Sequence, residues 1–397
     1  MQPRLVILSQ YYPPETGAPQ TRLSELAEGL RKRGWEVEVV TALPNYPHGK
    51  IAAAYRGKWR VREEINGIRV HRYWLYASNA GRAWPRIVSM LSFSASVFCA
   101  LPRLWRFRPH YLLVESPPLT LGFSGWLLSR LSRSKFIFNV SDLWPLTAKV
   151  LGAVREGRIY RRLEALERFL YRRAFACTGQ SDEIVEHIRR QGGRRVWLFR
   201  NGVNLSRFPM AETQNRRSAE EVSIVYTGLL GVAQGMVRIC RHIDFKSLGT
   251  TLHIYGAGPE KEQLLAFLQQ HPDRGIFYHG SVDSVKIPAI LSAHDAALVS
   301  LRRHIPGAVP SKIYEAMAAG LPVFFSGEGE GAALVETHRT GWVNHPEQLT
   351  ELCAHIRAFA TNRPAYNAHV RSVAARFFNR EMEIERLDGL LRQHLEP

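Results

Sequence analysis

The sequence predicts two α/β domains in series, each a parallel sheet wound with helices. Three observations carry this reading. The 397-residue length exceeds what a single hydrophobic core usually serves. Strand-like apolar runs alternate with amphipathic helical segments along the chain. A polar stretch at residues 212–221, with Asn215, Arg216, Arg217 and Ser218, interrupts that alternation near the middle and reads as a linker. Hydrophobic residues at 45% and charged residues at 22% are ordinary globular usage, which argues against a disordered chain or a membrane-embedded bundle.

The first alternation opens with a buried strand at residues 5–9 and a turn at Pro13-Pro14-Glu15-Thr16-Gly17. From Thr21 a helical period follows, with Leu23, Leu26, Ala27 and Leu30 on one face, and Gly34 ends it. Residues 36–41 return as a strand, so the chain begins as a strand, glycine-containing loop, helix, strand unit. Next come a strand at 67–76, an apolar helix at 87–101, a strand at 111–115, a helix at 119–131 and a strand at 136–140. A basic helix at 155–173 places Ile159, Leu163, Leu166 and Leu170 on one face, and segments 175–179 and 195–199 complete the domain. Strands at 223–226, 251–255, 275–278, 296–300 and 322–325 form the second alternation. The expected organisation is a first domain over 1–200, a linker over 201–221 and a second domain over 222–375. A C-terminal helix within 376–397 is expected to pack back on the first domain.

The net charge of +18 lies wholly in the first half: residues 1–200 hold 33 Lys and Arg against 15 Asp and Glu, and the remainder holds 20 of each. Such a field attracts an anion, whether nucleic acid, anionic lipid or a diphosphate-bearing acceptor. Cys99, Cys177, Cys240 and Cys353 are widely spaced and form no metal-ligand pattern, which argues against structural zinc and disulfides. Residues 1–10 lack the basic flank and long apolar stretch of a signal peptide, so a cytoplasmic location is expected. The apolar segments 87–101 and 119–131 are too short to span a bilayer. The first is flanked by Arg82, Trp84 and Arg86 and by Arg103, Trp105, Arg106 and Arg108, which also suits a helix lying in a membrane interface.

The most specific stretch is Val309-Pro310-Ser311-Lys312-Ile313-Tyr314-Glu315, followed by Gly320-Leu321-Pro322. Pro310 and Ser311 mark a helix start whose exposed N–H groups favour a bound diphosphate. Glu315, one turn in, can accept from both hydroxyls of a ribose. A helix-end acid, a solvated lysine and a capping glycine explain the same residues without a ligand.

The longer Pro-Ser-Lys-x-x-Glu-x-x-x-x-Gly-x-Pro pattern resembles the nucleotide-sugar site of the GT-B retaining glycosyltransferases of family four, also called group 1. Further landmarks follow in the family's order: Tyr11-Tyr12-Pro13-Pro14-Glu15-Thr16-Gly17-Ala18, Pro44-Asn45-Tyr46-Pro47, Asn139-Val140-Ser141-Asp142-Leu143-Trp144-Pro145, Arg200-Asn201-Gly202, Tyr226-Thr227-Gly228 and Tyr255-Gly256-Ala257-Gly258. The Pro-Asn-Tyr-Pro and Asp-Leu-Trp-Pro pieces resemble enzymes of O-antigen and colanic-acid-type polysaccharide assembly, including L-fucosamine transferases.

The resemblance implies two Rossmann-like domains with a cleft between them, closing about the linker to exclude water. It implies a nucleotide-diphosphate sugar, with a UDP-sugar expected, as co-substrate, with no cofactor and no metal. Asp142, Lys312 and Glu315 are the expected catalytic residues. Gly17, Arg200, Asn201, Gly228, Gln234, Gly258, Gly307, Ala308, Val309 and Ser311 join Lys312 and Glu315 as expected donor contacts. Two departures matter. Many relatives carry a second Glu where Gly307 stands, which leaves the non-proline amides of residues 306–309 to contact the sugar. Gln234 stands where a lysine is frequent, which leaves Lys312, Arg200, Arg302 and Arg303 to hold the diphosphate. Asp142, at a strand end, takes the region of a family histidine; capping a helix, with Trp144 as packing, is its other reading.

The implied activity is retaining transfer of a hexosyl or N-acetylaminosugar group to a lipid-diphosphate-linked glycan, on the inner face of the cytoplasmic membrane. Two rivals remain: a nucleotide-sugar epimerase of related fold, which would turn over donor without acceptor, and a basic nucleic-acid-binding protein. The second lacks zinc spacings and aromatic-rich basic motifs, and leaves the charge-neutral second half without a role, so no nucleic-acid partner is expected.

Overall fold

The computed structural model describes residues 2–78, 83–208, 221–362 and 366–395. Arg82 and residues 209–220 of the expected linker lie outside the described residues. The chain divides into two compact units, residues 1–200 with 381–397, and residues 201–380.

The first unit holds eight strands: β1 (Arg4–Ser9), β2 (Glu36–Ala42), β3 (Arg60–Ile65), β4 (Ile68–Tyr73), β5 (Tyr111–Ser116), β6 (Lys135–Val140), β7 (Ala176–Gly179) and β8 (Val196–Leu198). Their spatial order is β3-β4-β2-β1-β5-β6-β7-β8, parallel except for β3. Alternate residues fill opposite faces: Leu5, Ile7, Val37 and Leu113 pack on one side, and Val6, Leu8, Val114 and Phe138 on the other. Burial on both faces is why these strands read as continuous apolar runs.

Sequence reasoning did not anticipate β3. It pairs antiparallel with β4 through Asn66-Gly67, both at positive φ, and its charged alternation reflects a half-exposed edge strand. The Asn-Gly step was the readable signal. The apolar helix also runs further than expected. Helical structure continues through Ala83–Ser96, a tight turn at Val97–Ala100 and Leu101–Phe107. Trp84–Phe107 is therefore a 24-residue helical run whose most apolar 18-residue stretch has mean hydropathy 1.6, long and apolar enough by length and composition to cross a membrane, so the expectation of a segment too short to span is corrected. Within this unit one face of the run is core, with Phe93, Val97, Ala100 and Leu104 buried.

The second unit holds β9 (Val222–Thr227), β10 (Thr250–Tyr255), β11 (Ile276–Gly280), β12 (Ala296–Ser300), β13 (Val323–Ser326) and β14 (Gly341–Asn344), all parallel, in the order β11-β10-β9-β12-β13-β14. The four-residue β14 was not anticipated. The unit begins before the expected 222 and ends beyond the expected 375, because Val203 and Arg380 exchange backbone bonds across Asn379: Val203 N–H donates to Phe378 O at 2.8 Å and Arg380 N–H to Val203 O at 3.0 Å. Helix Arg380–Arg392 then packs in the first unit, where Ile384 lies against Gly29 and Trp35 Nε1 donates to Asp388 at 2.6 Å.

Candidate functional site

Chain order reverses within each sheet. In the second unit β9 leads outward to β10 and β11 on one side, and β12 to β13 and β14 on the other. The carboxyl ends of β9 and β12 are thus the point where strand order switches, the place where open α/β sheets hold ligands. Residues 228–235 follow β9, and residues 301–310, then helix Ser311–Ala318, follow β12.

These loops are locked to one another. Ser300 Oγ donates to Gln234 O at 2.6 Å, and Arg302 N–H donates to Ala233 O at 2.7 Å. A side chain at Gly235, whose φ is 64°, would meet the Arg302 stem. Arg302 thus flanks the loop in which Gln234 stands in place of the frequent lysine, while also lying 4.0 Å from Glu347. Gly228 and Gly258 are fixed by backbone packing: Gly228 N–H donates to Tyr255 O and Leu230 N–H to Ala257 O, both at 2.9 Å. A Cβ on Gly258 would lie 2.3 Å from Leu230 O.

At the helix start Ser311 is half-buried and Lys312 Nζ donates to Glu315 Oε2 at 2.9 Å. Two side chains expected to hold different parts of one nucleotide are thus paired with each other. Their side chains retain 35% and 25% exposure, so both are reachable by a ligand. In the preceding turn Gly307 is buried at φ 76°, and Ala308 N–H donates to Ile305 O at 2.9 Å. That bond commits the Ala308 amide to the turn, which removes it from the amides expected to contact a sugar; Val309 is half-buried beside it.

The first sheet reverses between β1 and β5. Gly17 precedes helix Ala18–Lys32 without a side-chain cap, and a Cβ there would meet Gln20 Oε1. Beneath this edge lies a buried polar network that sequence reasoning missed. Arg22 pairs with Glu115, which also accepts from Ser141 Oγ and Asn139 Nδ2, while Arg22 Nη1 donates to Gln180 Oε1 at 2.6 Å. Its signal in the sequence was a carboxylate closing the apolar run of β5 and an arginine on the inward face of the first helix. Asp142, just after β6, accepts from Thr147 Oγ1, and burial raises its carboxyl above the ordinary aspartate range against that bond and one from the Leu143 amide.

Arg200 ends the first unit, where it pairs with Asp182, and its N–H donates to Glu383 Oε2 at 3.1 Å. Asn201 opens the second unit and is buried. Within the second unit, then, Gly228 and Gln234 lie on the loop after β9, Arg302 and Gly307 on the loop after β12, and Ser311, Lys312 and Glu315 on the helix that follows, while Gly17, Asp142 and Arg200 belong to the first unit.

A glycosyl transferase 4-like domain model matches residues 17–202, and a glycosyl transferases group 1 model matches residues 222–362. A relative from Escherichia coli, named as a colanic acid biosynthesis glycosyl transferase, WcaI, is 26% identical over 396 residues, 95% of this chain and 97% of its own. Among solved structures, sucrose-phosphate synthase from Thermosynechococcus elongatus is similar with a TM-score of 0.75 at 17% identity, over 98% of each chain. Anabaena HepE in complex with UDP has a TM-score of 0.72 at 15% identity, over 98% of this chain and 100% of its own. At such identities the structural likeness carries the fold alone, and the sequence matches carry the family. Two domain matches in series and a relative aligned nearly end to end place the chain in the group 1 glycosyltransferases of GT-B fold, with one Rossmann-like domain of each kind.

Proposed function

We propose that the protein is a retaining glycosyltransferase that moves a hexosyl or N-acetylaminosugar group from a UDP-sugar to a lipid-diphosphate-linked glycan during cell-surface polysaccharide biosynthesis. The observation that carries this reading is the Lys312–Glu315 pair at a helix start, beside the Arg302-flanked loop, at the point where strand order reverses. N–H groups at that start and two cations suit a diphosphate; Glu315 suits a ribose. The UDP complex of HepE supports a uridine donor, and the WcaI relative supports a polysaccharide role.

In the transfer, the bond between the sugar's anomeric carbon and the diphosphate oxygen breaks first. The leaving phosphate takes the acceptor hydroxyl proton, and the hydroxyl oxygen bonds to the anomeric carbon from the face the phosphate vacates. Lys312 and Arg302 offset charge building on the leaving group, and the remaining residues orient both substrates. Metal independence is part of the proposal, supported by a sequence without an Asp-x-Asp motif. A cytoplasmic protein held at the inner membrane face by its basic first domain completes it.

A thermal-shift screen of UDP, GDP and ADP tests the donor, since a ligand of the folded state raises stability. Release of UDP from UDP-sugars should require a glycan acceptor and should give product with the donor's anomeric configuration. Turnover without acceptor would identify an epimerase, and inversion would overturn the retaining assignment.

A further inference from the structure

We propose that a pocket at the amino-terminal edge of the first sheet, remote in the fold from its strand carboxyl ends, binds a multiply charged phosphate group. Helices Leu119–Ser132 and Arg158–Arg173 pack together and end there, bringing Arg130, Arg172 and Arg173 from their last turns. Arg194 and Arg195, on the approach to β8, face the same space, and Phe175, on the approach to β7, forms part of its wall. The cavity is about 670 Å³, and among the described residues no carboxylate lines it.

Five guanidinium groups around one cavity repel one another, and none has an acidic partner among the described residues. These five are exposed, whereas arginines drawn inward are paired: the buried Arg22 and Arg72 and the half-buried Arg103 meet Glu115, Glu63 and Glu38. Attraction to helix carboxyl ends accounts for Arg130, Arg172 and Arg173. It does not account for Arg194 and Arg195, which precede a strand and converge on the same volume.

Stacking holds part of the array in place without neutralising it. Arg195 lies 4.7 Å from the Phe175 ring centre and Arg173 lies 5.6 Å from that of Phe169. Planar forks held in this way match phosphate oxygens in pairs, a geometry lysine does not offer. The volume suits a headgroup or a diphosphate rather than a single small ion.

The phosphate could come from an anionic lipid headgroup or from a soluble phosphorylated compound. Beside Arg130 the surface turns apolar: Leu131 is 44% exposed and Trp105 is 55% exposed, its Nε1 donating to Leu131 O at 2.9 Å. A lipid source would deepen the membrane reading above; the phosphate chemistry does not depend on it.

Inorganic pyrophosphate is titrated into the full chain, its Arg172→Ala/Arg195→Ala variant and its Lys312→Ala variant, following heat release. The pocket variant should lose roughly tenfold or more in pyrophosphate affinity while keeping its thermal shift with UDP. Lys312→Ala should keep the pocket signal, which separates this site from the donor site. An Arg130→Gln/Arg194→Gln variant repeats the test should the first fold poorly. Weaker binding of the pocket variant to mixed phosphatidylcholine and phosphatidylglycerol vesicles assigns the phosphate to lipid. Unchanged vesicle binding with weakened pyrophosphate binding assigns it to a soluble ligand. Pyrophosphate affinity unchanged in both pocket variants overturns the proposal.

Discussion

The buried carboxylate of Glu15 accepts the backbone N–H of Asn45 at 2.8 Å, and its neighbour Tyr46 donates to the same oxygen at 2.8 Å, while Tyr12 N–H donates to the other oxygen at 3.3 Å. One side chain thus ties the loop after β1 to the loop after β2, the two landmark segments Tyr11-Tyr12-Pro13-Pro14 and Pro44-Asn45-Tyr46-Pro47.

Burial raises the Glu15 carboxyl above the ordinary glutamate range, against the opposing effect of those three amides. A raised folded value means that this group's favourable contribution is full below the unfolded value and is lost as pH rises through the folded one. Glu15→Gln, which keeps an acceptor without the charge, should therefore match or exceed the wild-type denaturation midpoint at neutral pH. Glu15→Ala leaves the amides without an acceptor and should cost about 1 to 3 kcal/mol. Equal midpoints for the two variants would show that the carboxylate does not organise these loops.

Glu38 behaves oppositely. Burial alone would raise its pKa, but hydrogen bonds and charge from His71 and Arg103 hold it at about 2. Its contribution is present above the ordinary glutamate value and is lost as pH falls from about 4.5 through about 2. Wild-type stability should fall across that window, and Glu38→Gln should be less stable at neutral pH but flatter through it, as followed by chemical denaturation in a pH series.

The Glu38–Arg103 pair also marks where legibility in the sequence ends. Parallel strands buried on both faces announce themselves as apolar runs, so the central strands of both sheets and the helix start at Ser311 are legible from the order of residues alone, while the half-exposed β3 and β14 are not. Arg103 is not: among Trp84, Arg86 and Arg106 it looks like one more surface cation, yet its partner Glu38 lies 65 residues away in β2. Glu15, Arg22 and Glu115 are hidden for the same reason, since a long-range polar contact leaves no periodicity. Arg302 is nameable as a phosphate candidate, but only the register of the loops after β9 and β12 places it beside Gln234.

Membrane attachment through the first domain should consequently be tested without Arg103, whose loss would disturb the core. Arg86, Arg106 and Arg108 are exposed, as are Trp84 and Trp105. Anionic vesicles should retain the protein and high salt should release most of it. Replacing the three arginines with Gln should weaken retention; equal binding to neutral vesicles would remove the electrostatic account.

For Asp142 the structure offers both roles at once, a half-buried acid at a strand end and an acceptor for Thr147. Asp142→Asn should lower turnover before it lowers the denaturation midpoint. Thr147→Val removes the same hydrogen bond and leaves the acid in place, so it should lower stability with little effect on turnover. Matching effects of the two substitutions on both readouts would return Asp142 to a purely structural role.

The sharpest expectation concerns Lys312 and Glu315, which pair at 2.9 Å and are proposed to part when the donor binds, Glu315 to ribose and Lys312 to diphosphate. A hydrogen bond to a charged group typically contributes about 1.5 to 3 kcal/mol, so Glu315→Gln should weaken uridine and UDP alike by roughly ten- to a hundredfold. Lys312→Ala should leave uridine binding nearly intact and weaken UDP. It should slow turnover further, because charge grows on the leaving diphosphate in the transition state. Since the two side chains interact, the double variant should lose less UDP affinity than the single effects combined. Titration calorimetry with uridine and UDP on all three variants measures each term. Equal losses of uridine and UDP in Lys312→Ala would reject the division and make Arg302, already beside the loop at Gln234, the leading phosphate ligand.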